Sequence, residues 1–487
     1  MRYHLMMKLR ETILLISLLM LAFSLQACMD DDSFTTSPQN RLTFSIDTLS
    51  LDTTFANVPT TTHSFWAYNR SGDGLRCASV RLASGNQTGF RVNVNGTYLG
   101  PNVGYQAQNV EIRDEDSIRI FVELTAPATG KTDPQLVADD LVFTLESGVE
   151  QKVNLKAYAW DANLLTAPTI TEDASWTGEK PIVIRGQMTI SEGATLTLTP
   201  GTTLYFHENT GVDVYGRLVS QGMPRQEVVL RGDRLDRMFD YLPYDLTPGL
   251  WQGIRFHEES YDNLLEFTDL HSAFTGITCD SSDVSRQKLT LRQSTIHNCQ
   301  GEGLRATHCK VTLENCQLSN TLSHCAAFLG GDIDINGCTL AQFYPFDIDR
   351  GAALFFSSAE HPLLSLLCRN SLVTGYGEDV MTGTRGTEGN AFNYRFENCV
   401  IRTPQVAEEE ASHFTDVEFE DVTDTTRYGE KQFLRIDTEL LRYDFHLSEV
   451  STAIGKANPA TAPLTDRDGK ARDGAPDIGC FTLKKIE

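Results

Sequence analysis

Two clusters of side chains in this 487-residue sequence have the types and spacing for chemistry. Asp332 and Asp334 stand two apart in an alternating run. In an extended strand both carboxylates share one face about 7 Å apart, a separation suited to a carboxylate pair acting on a glycosidic bond. The stretch Arg231 to Leu250 (RGDRLDRMFDYLPYDLTPGL) carries Asp233, Asp236, Asp240 and Asp245 among Arg234, Arg237, Tyr241 and Tyr244. Exposed tyrosine beside Asp and Arg can stack on a sugar ring and hydrogen-bond its hydroxyls. Arg234, Arg237, Asp240, Tyr241, Tyr244 and Asp245 are therefore the candidate binding residues. The same stretch could instead pack Met238, Phe239 and Leu242 over the body of the protein. The tripeptide Arg231-Gly232-Asp233 ends a strand and is read as a chance match to an adhesion motif. His207, Glu208, His297, His308 and His324 share no repeat column and no ligand spacing, and no cysteine pair has zinc spacing. No metal and no cofactor are expected.

The elements that must position these residues form a repeat. LTLRQSTI (289–296), VTLENCQL (311–318), IDINGCTL (333–340), LLCRNSLV (366–373) and YRFENCVI (394–401) align, with starts 22, 22, 33 and 28 residues apart. The first, third and eighth columns are apolar and face inward by period two, as in Leu289, Leu291 and Ile296. The fifth column reads Gln293, Asn315, Gly337, Asn370, Asn398, residues that tolerate the left-handed backbone a sharp bend requires. The sixth reads Ser294, Cys316, Cys338, Ser371, Cys399, which explains several cysteines as small interior residues in preference to disulfides or metal ligands. In this register Asp332 stacks over Lys310 and Lys288, and Asp334 over Thr312 and Thr290, with Arg292, Glu314 and Asn336 forming a third outward column. Mixed signs in adjacent rungs describe a solvated ladder better than an active site, so no catalytic residue is assigned.

Upstream, GATLTLTPG (193–201), GVDVYGRL (211–218) and WQGI (251–254) are short β-rich pieces ending in glycine. Together with the repeat they resemble the coils of right-handed parallel β-helix proteins, a family that includes pectate-lyase-like and polygalacturonase-like enzymes. The resemblance implies a solenoid over 176–487 in which each coil buries its face only by stacking on the next. About ten coils at the 4.8 Å sheet spacing make a rod of roughly 50 Å. YDFHL (443–447), STAIG (451–455), DRDG (466–469) and DIGCF (477–481) resemble the C-terminal cap of such proteins.

Residues 41–160 read differently. Short alternating segments, Leu42 to Ile46, Ser64 to Tyr68, Cys77 to Leu82, Phe90 to Val94, Ser117 to Leu124, Leu141 to Leu145 and Val153 to Tyr158, are separated by turn signals such as Asn95-Gly96. Seven strands without helical period predict an antiparallel β-sandwich, and their order resembles bacterial immunoglobulin-like domains. Trp66 is read as a core residue, and residues 161–175 as a linker. The fold class is thus all-β, a sandwich followed by a solenoid.

The N-terminus is an address. Arg2, Lys8 and Arg10 precede the apolar run Ile13 to Phe23, too short to span a bilayer. Leu25-Gln26-Ala27-Cys28 resembles the lipobox of bacterial lipoproteins, which implies removal of residues 1–27 and diacylation of Cys28. Met29-Asp30-Asp31-Asp32 resembles the export signal of Bacteroidota-type surface lipoproteins, which implies the outer face of the outer membrane, with 28–40 as a flexible tether. The chain carries −24, and removing 1–27, net +2, leaves −26, a field that disfavours nucleic acid. These readings converge on a lipid-anchored, non-catalytic binding or structural protein that presents its solenoid face to extracellular polymers, glycans foremost, with unidentified outer-membrane proteins as further partners. The alternative is a polysaccharide lyase or glycoside hydrolase acting on that face.

Overall fold

The computed structural model describes residues 33–386, 389–404 and 406–483. Cys28, its lipobox and the aspartates at 30–32 lie outside the described residues. Two compact units are present, 33–129 with Pro134–Ala159, and Gly130–Asp133 with 160–483.

The first unit is an antiparallel β-sandwich of two five-stranded sheets among the described residues. One sheet orders Leu42–Phe44, His63–Asn69, Ser117–Leu124, Phe90–Val94 and Thr97–Tyr98; the other orders Thr48–Phe55, Glu150–Trp160, Gln135–Leu145, Leu75–Leu82 and Gln106–Ile112. Ile118, Ile120, Val122 and Leu124 of the first sheet meet Leu141, Phe143, Val153 and Leu155 of the second, as period-two alternation demands. The sequence pattern misses the polar edge strand Gln106–Ile112 because edge strands bury only one face and one flank. Two expectations are corrected. Trp66 is 38% exposed and Phe65 takes the core position, because Phe65, Ala67 and Asn69 are the inward phase of their strand. Residues 33–40 do not hang free at their start, since Phe34 bridges to Gly74 and lies under the Arg76 guanidinium.

The second unit is a right-handed parallel β-helix. Three parallel sheets run its length, here called A, B and C; among the described residues A has eleven strands, B nine and C ten. Residues 161–175, expected as a linker, contribute the first coil: Asn163–Thr166 in A, Thr169–Ile170 in B and Ala174–Trp176 in C, the first pairing in register with Ile182–Arg185. The inward columns Leu289–Val311–Ile333–Leu366 and Leu291–Leu313–Ile335–Cys368 stack as registered partners.

The corner between sheets C and A explains the two unusual columns together. Gln293, Asn315, Gly337, Asn370 and Asn398 all have positive φ, between 41° and 64°. Immediately after each, Ser294, Cys316, Cys338, Ser371 and Cys399 donate to the carbonyl two residues back, at 2.7 to 3.5 Å. Thr268, one coil earlier, does the same to Glu266. Serine and cysteine share this column because both are small and both can donate to the carbonyl the turn leaves open. All ten described cysteines are buried and unbridged.

The outward ladder differs from expectation at one rung. A bulge between Gln287 and Leu289 puts Gln287, not Lys288, beside Lys310. The extra residue turns Lys288 inward, where it is fully buried and donates to the carbonyls of His257 and Glu258. Lys310 still pairs with Asp332 at 3.1 Å and Arg369 with Asp334 at 2.7 Å.

The C-terminal segment does not cap an end. It lies along the flank of sheet A. Asn458 donates to Asn370, Asn336 and Asn370 donate to Thr461, Gln293 and Asn315 to Thr465, and Arg467 reaches Thr295 and Glu227. Two features of the solenoid demand this. The corner asparagines present amides that need partners once covered. The outer face of sheet A also changes from polar (Asp269, His271, His297, Ser319) to apolar (Ala341, Leu372, Val400), and the hairpin Phe433–Asp437 with Arg442–Leu447 supplies Phe433, Phe445 and Leu447 to cover the apolar end.

Candidate functional site

Where the flank segment passes the polar end of sheet A, it leaves a groove of about 400 Å3, within the range of small-ligand sites. Its floor is Asp269, Thr295, His297, Gln317 and Ser319 on three successive rungs, and its far wall is Tyr443, Asp444, His446, Arg467, Asp468 and Phe481. Leu270 and Ile296 point into the core, so Asp269, His271 and His297 must point out.

Asp269 and His271 lie on one strand, and His297 is the registered partner of His271 in the next coil, with ring centroids 4.8 Å apart. His271 Nδ1 is 2.8 Å and His297 Nε2 3.2 Å from the same oxygen, Asp269 Oδ1. The donor atoms of all three lie within 4.8 Å of one another. Burial pushes the Asp269 carboxyl upward, but the two imidazoles outweigh it and hold the group ionised, well below the usual carboxylate range. Burial lowers His271, partly offset by Asp269, so the buried imidazole is neutral at pH 7. Its strand is fixed from inside by Trp251, whose Nε1 donates to the His271 carbonyl at 2.8 Å.

Across the groove His446 is clamped between Asp444 (2.6 Å) and Asp468 (3.0 Å). Burial acts to lower His446, and the hydrogen bonds to Asp468 and Asp444 carry it above its ordinary value. The hydrogen bond from His446 holds Asp468 well below the carboxylate range.

The candidate loop borders this groove at Leu246, and its members part company. Arg234 forms a two-pronged pair with Asp236 and covers the Tyr244 ring at 3.6 Å, which occupies both. Arg237 donates to the Asp240 carbonyl. Asp245 pairs with Arg231 at 2.8 Å, and its backbone carbonyl accepts from Ser272. Tyr241 stacks with Phe239 at 5.7 Å, and both are exposed, while Leu242 is buried. The loop therefore packs by Leu242 and presents Phe239 and Tyr241. His207 bonds Asp233, and His308 stacks on His361.

The pairing of His271 with His297 corrects the expectation that His297 shares no column. The signal was present: DLH (269–271) lies over TIH (295–297), but the twenty-residue excursion before Trp251 breaks the spacing and hides that coil.

On the sandwich, Trp66 stacks with Tyr68 at 6.5 Å, and Arg119 lies over both Trp66 and Phe121 on the outer face of one sheet.

No protein-family model matches the sequence, and no curated protein matches it. Among solved structures, a family 123 glycoside hydrolase from Clostridium perfringens is similar at 7% identity over 25% of this chain and 26% of that chain, with a TM-score of 0.17. The chain thus spans about a quarter of that enzyme's length. The catalytic unit of a thermostable GH87 α-1,3-glucanase from Streptomyces thermodiastaticus is similar at 10% identity over 74% of this chain and 89% of that chain, with a TM-score of 0.28. At these scores neither enzyme's activity bears on this chain.

Proposed function

We propose that this protein is a surface-exposed outer-membrane lipoprotein of the Bacteroidota type, anchored through Cys28, that binds extracellular polysaccharide without cleaving it. Its sandwich is read as an immunoglobulin-like stalk domain and its β-helix as the binding unit. The observation that carries the reading is the groove on sheet A, lined by hydrogen-bonding Asp, His, Gln and Arg side chains and bordered by the loop that presents the Phe239–Tyr241 pair. Sugar sites combine these two elements, flat apolar rings for the pyranose face and polar groups for its hydroxyls. The Trp66–Arg119–Phe121 face offers a second stacking surface of the same kind on the sandwich.

A hydrolase or lyase is the alternative, favoured by the three carboxylates Asp269, Asp444 and Asp468 in one groove. A glycosidase needs one carboxyl held protonated near neutral pH. Asp269 and Asp468 are both shifted the other way, which supports binding over cleavage.

The test incubates the purified protein with a panel of plant, microbial and host polysaccharides, measuring retention on each and mass spectra of the soluble products. Retention with intact polymer, weakened about tenfold or more by Phe239→Ala with Tyr241→Ala, is the expected result. Shortened or unsaturated oligosaccharides would make it an enzyme, and no retention across the panel would leave a structural spacer. Cys28→Ser should move the protein from the detergent-soluble membrane fraction to the aqueous one; continued membrane fractionation would refute the anchor.

A further inference from the structure

We infer that Asp269, His271 and His297 form a binding site for one divalent transition-metal ion at the floor of the groove. This goes beyond polysaccharide binding and does not depend on it.

Two imidazole nitrogens and one carboxylate oxygen converge from two adjacent coils, all within 4.8 Å of one another. Imidazole with a single carboxylate suits zinc, iron, nickel or copper, whereas calcium and magnesium take oxygen-rich shells of six or more ligands. Both nitrogens point at the same oxygen, Asp269 Oδ1, so the three ligating atoms already face one volume, and an ion would replace the protons that now bridge them. Two donors at about 2.1 Å from one ion lie at most about 4.2 Å apart, so small side-chain rotations of His271, His297 and the partly buried Asp269 are what draw the three onto an ion. The sheet register makes this convergence rigid, since His271 and His297 are paired neighbours of a ladder and cannot drift apart without breaking it.

His271 is 9% exposed at its side chain, and its Nε2 is buried without a partner; Asp245 Oδ1, at the same corner through the Ser272 contact, is also buried without one. Buried polar atoms are rarely left open. A metal on Nδ1 would fix the His271 tautomer with its proton on Nε2, the arrangement in which the outer nitrogen of a metal-bound imidazole donates to a carboxylate. Asp245, paired on Oδ2 with Arg231, makes no hydrogen bond to this nitrogen, since Oδ1 and Nε2 are both open. Asp269 and His297 line the groove, so the remaining coordination positions open toward it and take water or a hydroxyl or carboxylate of whatever the groove holds.

The test uses the full chain in detergent, stripped with chelator and kept reduced, and titrated with Zn2+ at pH 7.5 by calorimetry with metal content measured after dialysis. Co2+ as a second probe reports the ligand field through its visible bands. The expected result is one equivalent of Zn2+, a Co2+ spectrum of nitrogen and oxygen ligation, and a loss of about tenfold or more in affinity in each of Asp269→Asn, His271→Ala and His297→Ala. His308→Ala, in the other histidine pair, binds as the parent does. Thermal melts of the metal-free variants show that they fold; should His271→Ala fail to, the near-isosteric Asp269→Asn and the partly exposed His297→Ala carry the test. Less than a tenth of an equivalent bound, or undiminished binding in Asp269→Asn and His297→Ala, overturns the site. Polysaccharide retention measured in parallel on the chelated protein separates the two readings, since either can fail with the other intact.

Discussion

Asn370 lies where the corner ladder and the flank segment meet, and its substitution weighs both. The residue is 1% exposed and holds φ at +50°. Its Nδ2 donates to Asn336 Oδ1 at 2.8 Å and Thr461 Oγ1 at 3.1 Å, and its Oδ1 accepts from the Asn458 backbone N–H at 2.8 Å. Removing three hydrogen bonds at about 1 kcal/mol each costs about 3 kcal/mol. Alanine adds the left-handed penalty of a Cβ-bearing residue, about 1 kcal/mol, which glycine escapes. Asn370→Ala should therefore destabilise by about 4 kcal/mol and Asn370→Gly by about 3 kcal/mol. Urea unfolding followed by tryptophan fluorescence measures the total, and limited proteolysis measures release of 455–470. Equal losses for Ala and Gly would refute the left-handed corner. Losses under about 1 kcal/mol in both would refute the claim that these bonds hold the flank segment.

Ile335 is fully buried between Leu313 and Cys368, so Ile335→Asp places an unpaired carboxylate in the core, costs upwards of about 4 kcal/mol, and should unfold the β-helix cooperatively in a thermal melt; unchanged stability would mean the register is wrong. The His446 clamp predicts a pH optimum for the flank segment. His446 is raised, so its contribution is present below the unfolded value of about 6.5 and is lost as pH rises through the folded value; Asp468 is lowered, so its contribution is present above about 3.9 and is lost on acidification through its folded value. Protease sensitivity of 441–470 should be least between about pH 4 and 6.5 and should increase toward pH 9, and His446→Phe should abolish the dependence. Burial pushes the thiols of Cys77, Cys299, Cys325 and Cys480 up to about 12. The ten described cysteines should therefore be inert to a thiol reagent at pH 8 and react fully in urea; rapid reaction of the native protein would contradict their burial.

The coil was legible in the sequence because its rules are local. Inward positions recur with period two, and a bend between two strands needs a residue that accepts positive φ, so Asn315, Asn370 and Asn398 mark their own corners by residue type and spacing alone. The sandwich was legible for the same reason, except where phase mattered. A run such as Phe65-Trp66-Ala67-Tyr68 is apolar at both phases, and only packing chose Phe65 for the core and Trp66 for the surface. The bulge at Lys288 was likewise invisible, since one extra residue shifts phase without changing composition.

The groove belongs to the tertiary structure alone. His271 meets His297 because two coils of unlike length stack in register on adjacent rungs, and His446 faces them because the segment that carries it returns along the flank, in contacts such as Asn315 to Thr465 that join residues 150 apart in the chain. What the sequence determined by itself was the repeating unit, because each coil is specified by its own residues and its nearest neighbour. The direction of the C-terminal segment was decided by which part of sheet A was left apolar once all coils had stacked, a property of the assembled face that no single stretch of sequence contains.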